Sequence, residues 1–150
     1  MCRIWEHTLP GHPDSVRRVR RWIEAVLDDT PVDSCATERT VYAASELATN
    51  AVRYTASGTE GGTMSLRLLL GSSRLRLEVT DQGGTQVPMI HTPNPDEECG
   101  RGLWLVHLRC LRLYVRGDAQ GHTVCVDIPW RTTPDHPDEL GTPGHELTHT

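Results

Sequence analysis

Glu46 and Asn50 stand four residues apart in the stretch SELATNAVRYT (residues 45–55), so on a helix they stack on one face. A carboxylate there can take the proton of an attacking hydroxyl or water. An amide oxygen one turn away is a hard ligand suited to Mg²⁺. Arg53 falls on the same side; an ordinary solvated helix face would have the same spacing. Asp81 follows Leu75, Leu77 and Val79 at steps of two, so it continues the apolar side of a strand. An unpaired carboxylate is costly in such a place, and Asp81 therefore needs a donor. The DQGG run (residues 81–84) lets the backbone turn sharply and lets something lie flat against it. Closing an Asx-type turn at the strand end is the alternative duty for Asp81. Gly100 and Gly102 open an apolar helical stretch, where bare N–H groups form an anion site and glycines admit a phosphate closely. This Gly-Arg-Gly is not the dinucleotide fingerprint, because Leu105 occupies the sixth position and no strand immediately precedes it.

These residues need elements to hold them. Residues 2–10 read as a short strand stopped by Pro10-Gly11. Asp14 or Ser15 is positioned to cap a helix that runs to Asp28, with Val16, Val19, Ile23, Val26 and Leu27 at helical spacing. Arginines 17, 18, 20 and 21 fit the solvated face of that helix, or a basic docking face for an acidic protein. A second helix spans residues 34–55, with Val41, Ala44, Ala48, Ala51 and Val52 on its apolar stripe; with Val41 taken as the centre, Glu46, Asn50 and Arg53 fall roughly opposite. A hairpin follows, with residues 64–70 alternating only roughly and residues 74–81 alternating strictly. Residues 82–100 have no period, a nineteen-residue loop of the kind that is usually functional. A short helix over 100–111 and two strands, 112–117 and 122–130, complete the order β-α-α-β-β-loop-α-β-β. The fold class this implies is α/β, an α+β two-layer sandwich with helices on one face of a mixed, mainly antiparallel sheet. Residues 1–130 form the domain, and the proline- and histidine-rich residues 131–150 read as a disordered tail.

Composition removes several classes of function. The chain has 150 residues, most simply one domain, and a net charge of −5, which argues against a nucleic-acid binder working by bulk charge. All 15 basic residues are arginine, so neither a P-loop lysine nor the strand lysine of the eukaryotic-type kinase fold exists here. Five scattered cysteines make neither a disulfide framework nor a zinc knuckle, and reduced thiols in a cytoplasmic protein are the expectation. No apolar run is long enough to span a bilayer.

Taken in order, Glu-x-x-x-Asn on a helix, a strand ending in Asp-x-Gly, and a long loop leading to Gly-x-Gly closely resemble the Bergerat-fold (GHKL) ATPases. Within SELATNAVRYT, VTDQGG, ECGRGLWLV and GHTVCVDIP the match covers about residues 10–130. The small single-domain form is similar to the bacterial anti-sigma-factor serine kinases of the RsbW type. That resemblance implies roles. Glu46 would be the general base and Asn50 the Mg²⁺ ligand, with Arg53 beside the nucleotide. Asp81 would accept the adenine amino group, Gly83 would admit the ring, and Thr123 would reach adenine through water. Residues 85–99 would be the ATP lid, and Gly100, Arg101, Gly102 and Leu103 would hold phosphate. The implied cofactors are ATP and Mg²⁺, and the implied partners are an anti-sigma factor antagonist and a sigma factor, with a homodimer possible. One departure is Tyr54, which stands where the small relatives commonly carry histidine.

Two other readings compete. A non-catalytic regulator would bind ATP and a protein without transferring phosphate. His145-Glu146-x-x-His149 matches the zinc-hydrolase motif literally, but Pro143-Gly144 precede it and one residue follows, so no stable helix can present both histidines.

Overall fold

The computed structural model describes residues 2–84 and 112–130. Strand β1 (Arg3–Pro10) leads into α1 (Pro13–Asp28) and α2 (Ser34–Tyr54), followed by a single 3₁₀ turn (Ala56–Gly58). Strands β2 (Thr63–Leu70), β3 (Arg74–Thr80), β4 (Arg112–Asp118) and β5 (Gly121–Pro129) complete it. They form one sheet in the order β1-β2-β3-β5-β4. The expected two-layer α/β architecture is observed, and every described pairing is antiparallel rather than mixed.

Local chemistry explains the helix starts. Pro13 lacks the N–H that a first-turn residue leaves unpaired, so α1 begins two to three residues earlier than a cap at Asp14 or Ser15 would allow. The cap is His12, whose Nδ1 accepts from the Asp14 N–H at 3.1 Å. Helix α2 is capped by Asp33, whose carboxylate accepts from the Ala36 N–H at 3.2 Å. Thr55 closes its far end: the hydroxyl donates to the Ala51 carbonyl at 2.7 Å and accepts from the Ser57 N–H at 3.0 Å.

The core lies between the helices and one face of the sheet. Val19, Ile23 and Leu27 of α1 meet Ala44, Leu47, Ala48 and Ala51 of α2, above Leu66, Leu68, Leu77, Val79, Val126 and Ile128. Arg17, Arg18, Arg20 and Arg21 are all exposed. Burial in β2 alternates without exception, Met64, Leu66, Leu68 and Leu70 pointing inward and Leu69 outward. The rough alternation of its sequence therefore reflects one apolar residue on the outer face. The stripe of α2 is centred near Ala44, Leu47, Ala48 and Ala51, with Val41 at its border. Asn50 consequently sits on the flank of the buried face, about 90° from its centre at ~100° per residue.

Candidate functional site

The site is assembled where α2 ends against the β3 exit. Past β3 the chain turns through Asp81, Gln82, Gly83 and Gly84. Four backbone donors stitch that turn to its surroundings: Asp81 N–H to His122 O at 2.8 Å, Gly84 N–H to Ala119 O at 3.0 Å, Ala56 N–H to Gly83 O at 2.7 Å, and Gln82 N–H to Ser57 Oγ at 3.0 Å. Gly83 has φ of +82°, and a Cβ there would lie 2.1 Å from the Ala119 carbonyl oxygen. What lies flat against this glycine is thus the β4–β5 turn, and no residue with a side chain fits.

Asp81 is 5% exposed on the core side of the sheet, as its parity requires. Its Oδ1 accepts from the Gly83 N–H at 2.7 Å and the His122 N–H at 3.2 Å, and faces His122 Nδ1 at 3.3 Å. The Asx-type turn is therefore real. It uses one carboxylate oxygen, and no hydrogen bond or ion pair among the described residues engages the other, Oδ2. A buried anion pinned through one oxygen keeps the second as a strong acceptor.

Glu46 and Asn50 are both half-buried on α2. Burial raises the Glu46 pKa above the ordinary carboxylate range, which moves it toward the behaviour of a proton acceptor. Asn50 lies five residues before Thr55, about 7–8 Å along the axis from the end of α2 that meets the Asp81 turn. Arg53 is exposed, its guanidinium 5.3 Å from the centre of the Tyr54 ring. Among the described residues no cluster of three His, Cys, Asp or Glu side chains could hold a metal. A magnesium ion at Asn50 would take one amide oxygen from the chain and complete its shell with phosphate and water, the usual arrangement for this hard ion.

The structure does not bring Thr123 to Asp81. Thr123 pairs with Thr80 on the opposite face, their hydroxyls 2.8 Å apart. The β5 residue that meets Asp81 is His122, 1% exposed, whose buried Nε2 has no hydrogen-bond partner among the described residues. The signal was available: His122 precedes Val124, Val126 and Ile128 by the same two-residue step that marks Asp81. Ser57, fully buried beneath Gln82, gave no such signal. The expected lid (85–99), the expected helix start at Gly100, Arg101, Gly102 and Leu103, and the expected tail (131–150) with His145 and His149 lie outside the described residues. No helix among the described residues is long and apolar enough to cross a membrane.

Comparison with known proteins adds three findings. Among solved structures, the chain is similar to the RsbU and RsbW domains of Rv1364c from Mycobacterium tuberculosis, with a TM-score of 0.62 and 21% identity over 86% of this chain. It spans 33% of that longer protein. It is also similar to the histidine kinase domain of a blue-light activated histidine kinase from Erythrobacter litoralis EL346, with a TM-score of 0.52 and 23% identity over 81% of this chain and 66% of that one. At these identities the likeness establishes the fold. No curated protein matches the chain. The histidine kinase-like ATPase domain family matches residues 9–128, nearly the whole described domain. With a helix that ends against a pinned aspartate at the exit of an antiparallel sheet, the chain belongs to the histidine kinase-like ATPase domain family.

Proposed function

We propose that this chain binds Mg-ATP and transfers the terminal phosphoryl group to a serine of an anti-sigma factor antagonist, alternating with retention of a sigma factor, in the manner of the RsbW type. Membership in the ATPase family and the likeness to a structure containing an RsbW domain support this reading. The observation that carries it is Asp81, a buried carboxylate with Oδ1 fully engaged and Oδ2 uncommitted among described residues. That arrangement suits an exocyclic amine such as adenine's.

In this reading Asp81 Oδ2 accepts the amine and Gly83 keeps the turn low enough for the ring. Asn50 holds Mg²⁺, and Arg53 is placed to meet phosphate. Gly100, Arg101, Gly102 and Leu103 supply N–H groups to the phosphates. Thr123 serves the site indirectly, its hydroxyl tying β5 to β3 next to Asp81 and His122. Bound Mg-ATP supplies the electrophilic phosphoryl group. Glu46 takes the proton of the incoming serine hydroxyl, and burial equips it for that by disfavouring its charged form.

Glu46→Gln separates binding from transfer. A partner is first captured from cytoplasm in the presence of ATP and then of ADP. The variant should bind Mg-ATP nearly as well as wild type and phosphorylate that partner ~10²–10⁴-fold more slowly. If both proteins bind ATP and neither phosphorylates the partner, the kinase reading falls and an ATP-gated binding module takes its place.

A further inference from the structure

His122 occupies a position where an apolar residue would continue the core side of β5, followed by Val124, Val126 and Ile128. It is 1% exposed, and its Nε2 has no hydrogen-bond partner among the described residues. A histidine retained only to fill space would strand a nitrogen at a cost that leucine or valine avoids. Its other ring nitrogen faces Asp81 Oδ1 at 3.3 Å. That oxygen already accepts from two backbone N–H groups, so the imidazole nitrogen facing it must carry a hydrogen and donate. With Nδ1 protonated in the neutral ring, Nε2 presents a buried lone pair.

We infer that His122 is a positioning residue for base recognition: its Nδ1–H holds the Asp81 carboxylate in the rotamer that leaves Oδ2 for an exocyclic amine. The inference rests on the ATP-binding reading above and deepens it. Three donors on one oxygen restrict rotation of the carboxylate, and two of them are the backbone N–H groups of Gly83 and His122, which a substitution of the His122 side chain leaves in place. The imidazole is the third and the adjustable one. Without it the carboxylate can rotate and share its charge between both oxygens, and an amine at Oδ2 loses an acceptor held in place. The class of ligand selected is a nucleoside triphosphate whose base carries an amino group, over one carrying a carbonyl at the same position.

The test measures ATP and ITP binding by calorimetry on wild type, His122→Leu and His122→Asn. ITP replaces the 6-amino group with a carbonyl. In the leucine variant ATP affinity should fall about ten-fold, the worth of one hydrogen bond to a charged group, while ITP affinity stays unchanged. The asparagine variant, whose amide N–H sits near the place of Nδ1–H, should restore the preference for ATP. A leucine variant that loses both nucleotides equally would reduce His122 to a packing residue. Should the leucine variant fail to fold, long-range ¹H–¹⁵N spectra of wild type decide: hydrogen on Nδ1 supports the inference, and hydrogen on Nε2 alone overturns it. Wild type binding neither nucleotide would overturn the ATP reading and this inference together. ATP binding with an unchanged ATP-to-ITP ratio in the leucine variant overturns the inference alone.

Discussion

The two faces of the sheet each bury carboxylates, and they treat them differently. On the outer face, Asp127 is held by a two-pronged pair from Arg76, Nε to Oδ1 at 2.7 Å and Nη2 to Oδ2 at 3.1 Å. Glu78 lies between Arg67 at 3.2 Å and Arg116 at 3.6 Å, one arginine to each oxygen. On the inner face, Asp81 has no arginine among its described partners, and its bonds come from two backbone N–H groups and an imidazole, all on one oxygen. The three are buried alike, at 3%, 4% and 5% exposure. Burial alone therefore does not mark a functional carboxylate; the kind and number of its partners do. Asp127 and Glu78 have both oxygens matched and serve the sheet. Among the described residues, Asp81 is satisfied at one oxygen only.

That contrast can be broken from either side. The largest effect should come from Gly83→Ala, which sets a Cβ against the Ala119 carbonyl at a φ of +82° and disrupts the donor nearest Oδ1. Denaturant titration should register a loss of about 3 kcal/mol or more, above the ~1–3 kcal/mol of backbone strain alone. Arg76→Ala comes next. It leaves Asp127 buried without its counterion and should cost ~2 kcal/mol, below the ~3–5 kcal/mol of a fully buried pair because Arg76 reaches solvent. Nucleotide affinity of the folded protein should not change. Thr80→Val should cost ~1 kcal/mol by removing one neutral hydrogen bond, and pairing it with Thr123→Val should show that the two losses are not additive.

The smallest effect concerns Glu46. Burial raises its pKa in the folded state, so the fold disfavours the ionised form. Ionised Glu46 therefore subtracts stability at pH above its folded-state pKa, and protonation relieves the cost as pH falls through that value. Glu46→Gln should raise Tm slightly at neutral pH, and the gain should vanish below the ordinary carboxylate range, where both folded and unfolded wild type are protonated. A gain independent of pH would point to packing instead.

Periodicity made much of this legible. The two-residue step through Leu75, Leu77 and Val79 places Asp81 on the core side, and the helical spacing of Val19, Ile23 and Leu27 gives α1 its buried face. The stripe along α2 is read correctly at Ala44, Ala48 and Ala51, but centring it on Val41 misplaces its middle, since Leu47 is buried with those alanines and Val52 is only half-buried. The role expected of Thr123 comes from the family resemblance, and parity in β5 puts the His122 imidazole beside Asp81 and the Thr123 hydroxyl on the other face. His12 as the α1 cap was hidden by the stronger capping habit of aspartate and serine. No local pattern reveals that Ser57 supports Gln82, since they meet only after α2 and β3 have packed.

The central claim is that Asp81 is the acceptor that makes this domain an ATP-binding one. Isothermal calorimetry with Mg-ATP on wild type, Asp81→Asn and Arg76→Ala tests it most directly. The asparagine oxygen can still take the three donors at Oδ1, which turns its NH₂ toward the incoming amine and sets donor against donor. Affinity should fall ~100-fold in Asp81→Asn, as expected for loss of a charge-assisted bond, and stay within about two-fold of wild type in Arg76→Ala. Unchanged affinity in Asp81→Asn, or an equal loss in both variants, would contradict the account.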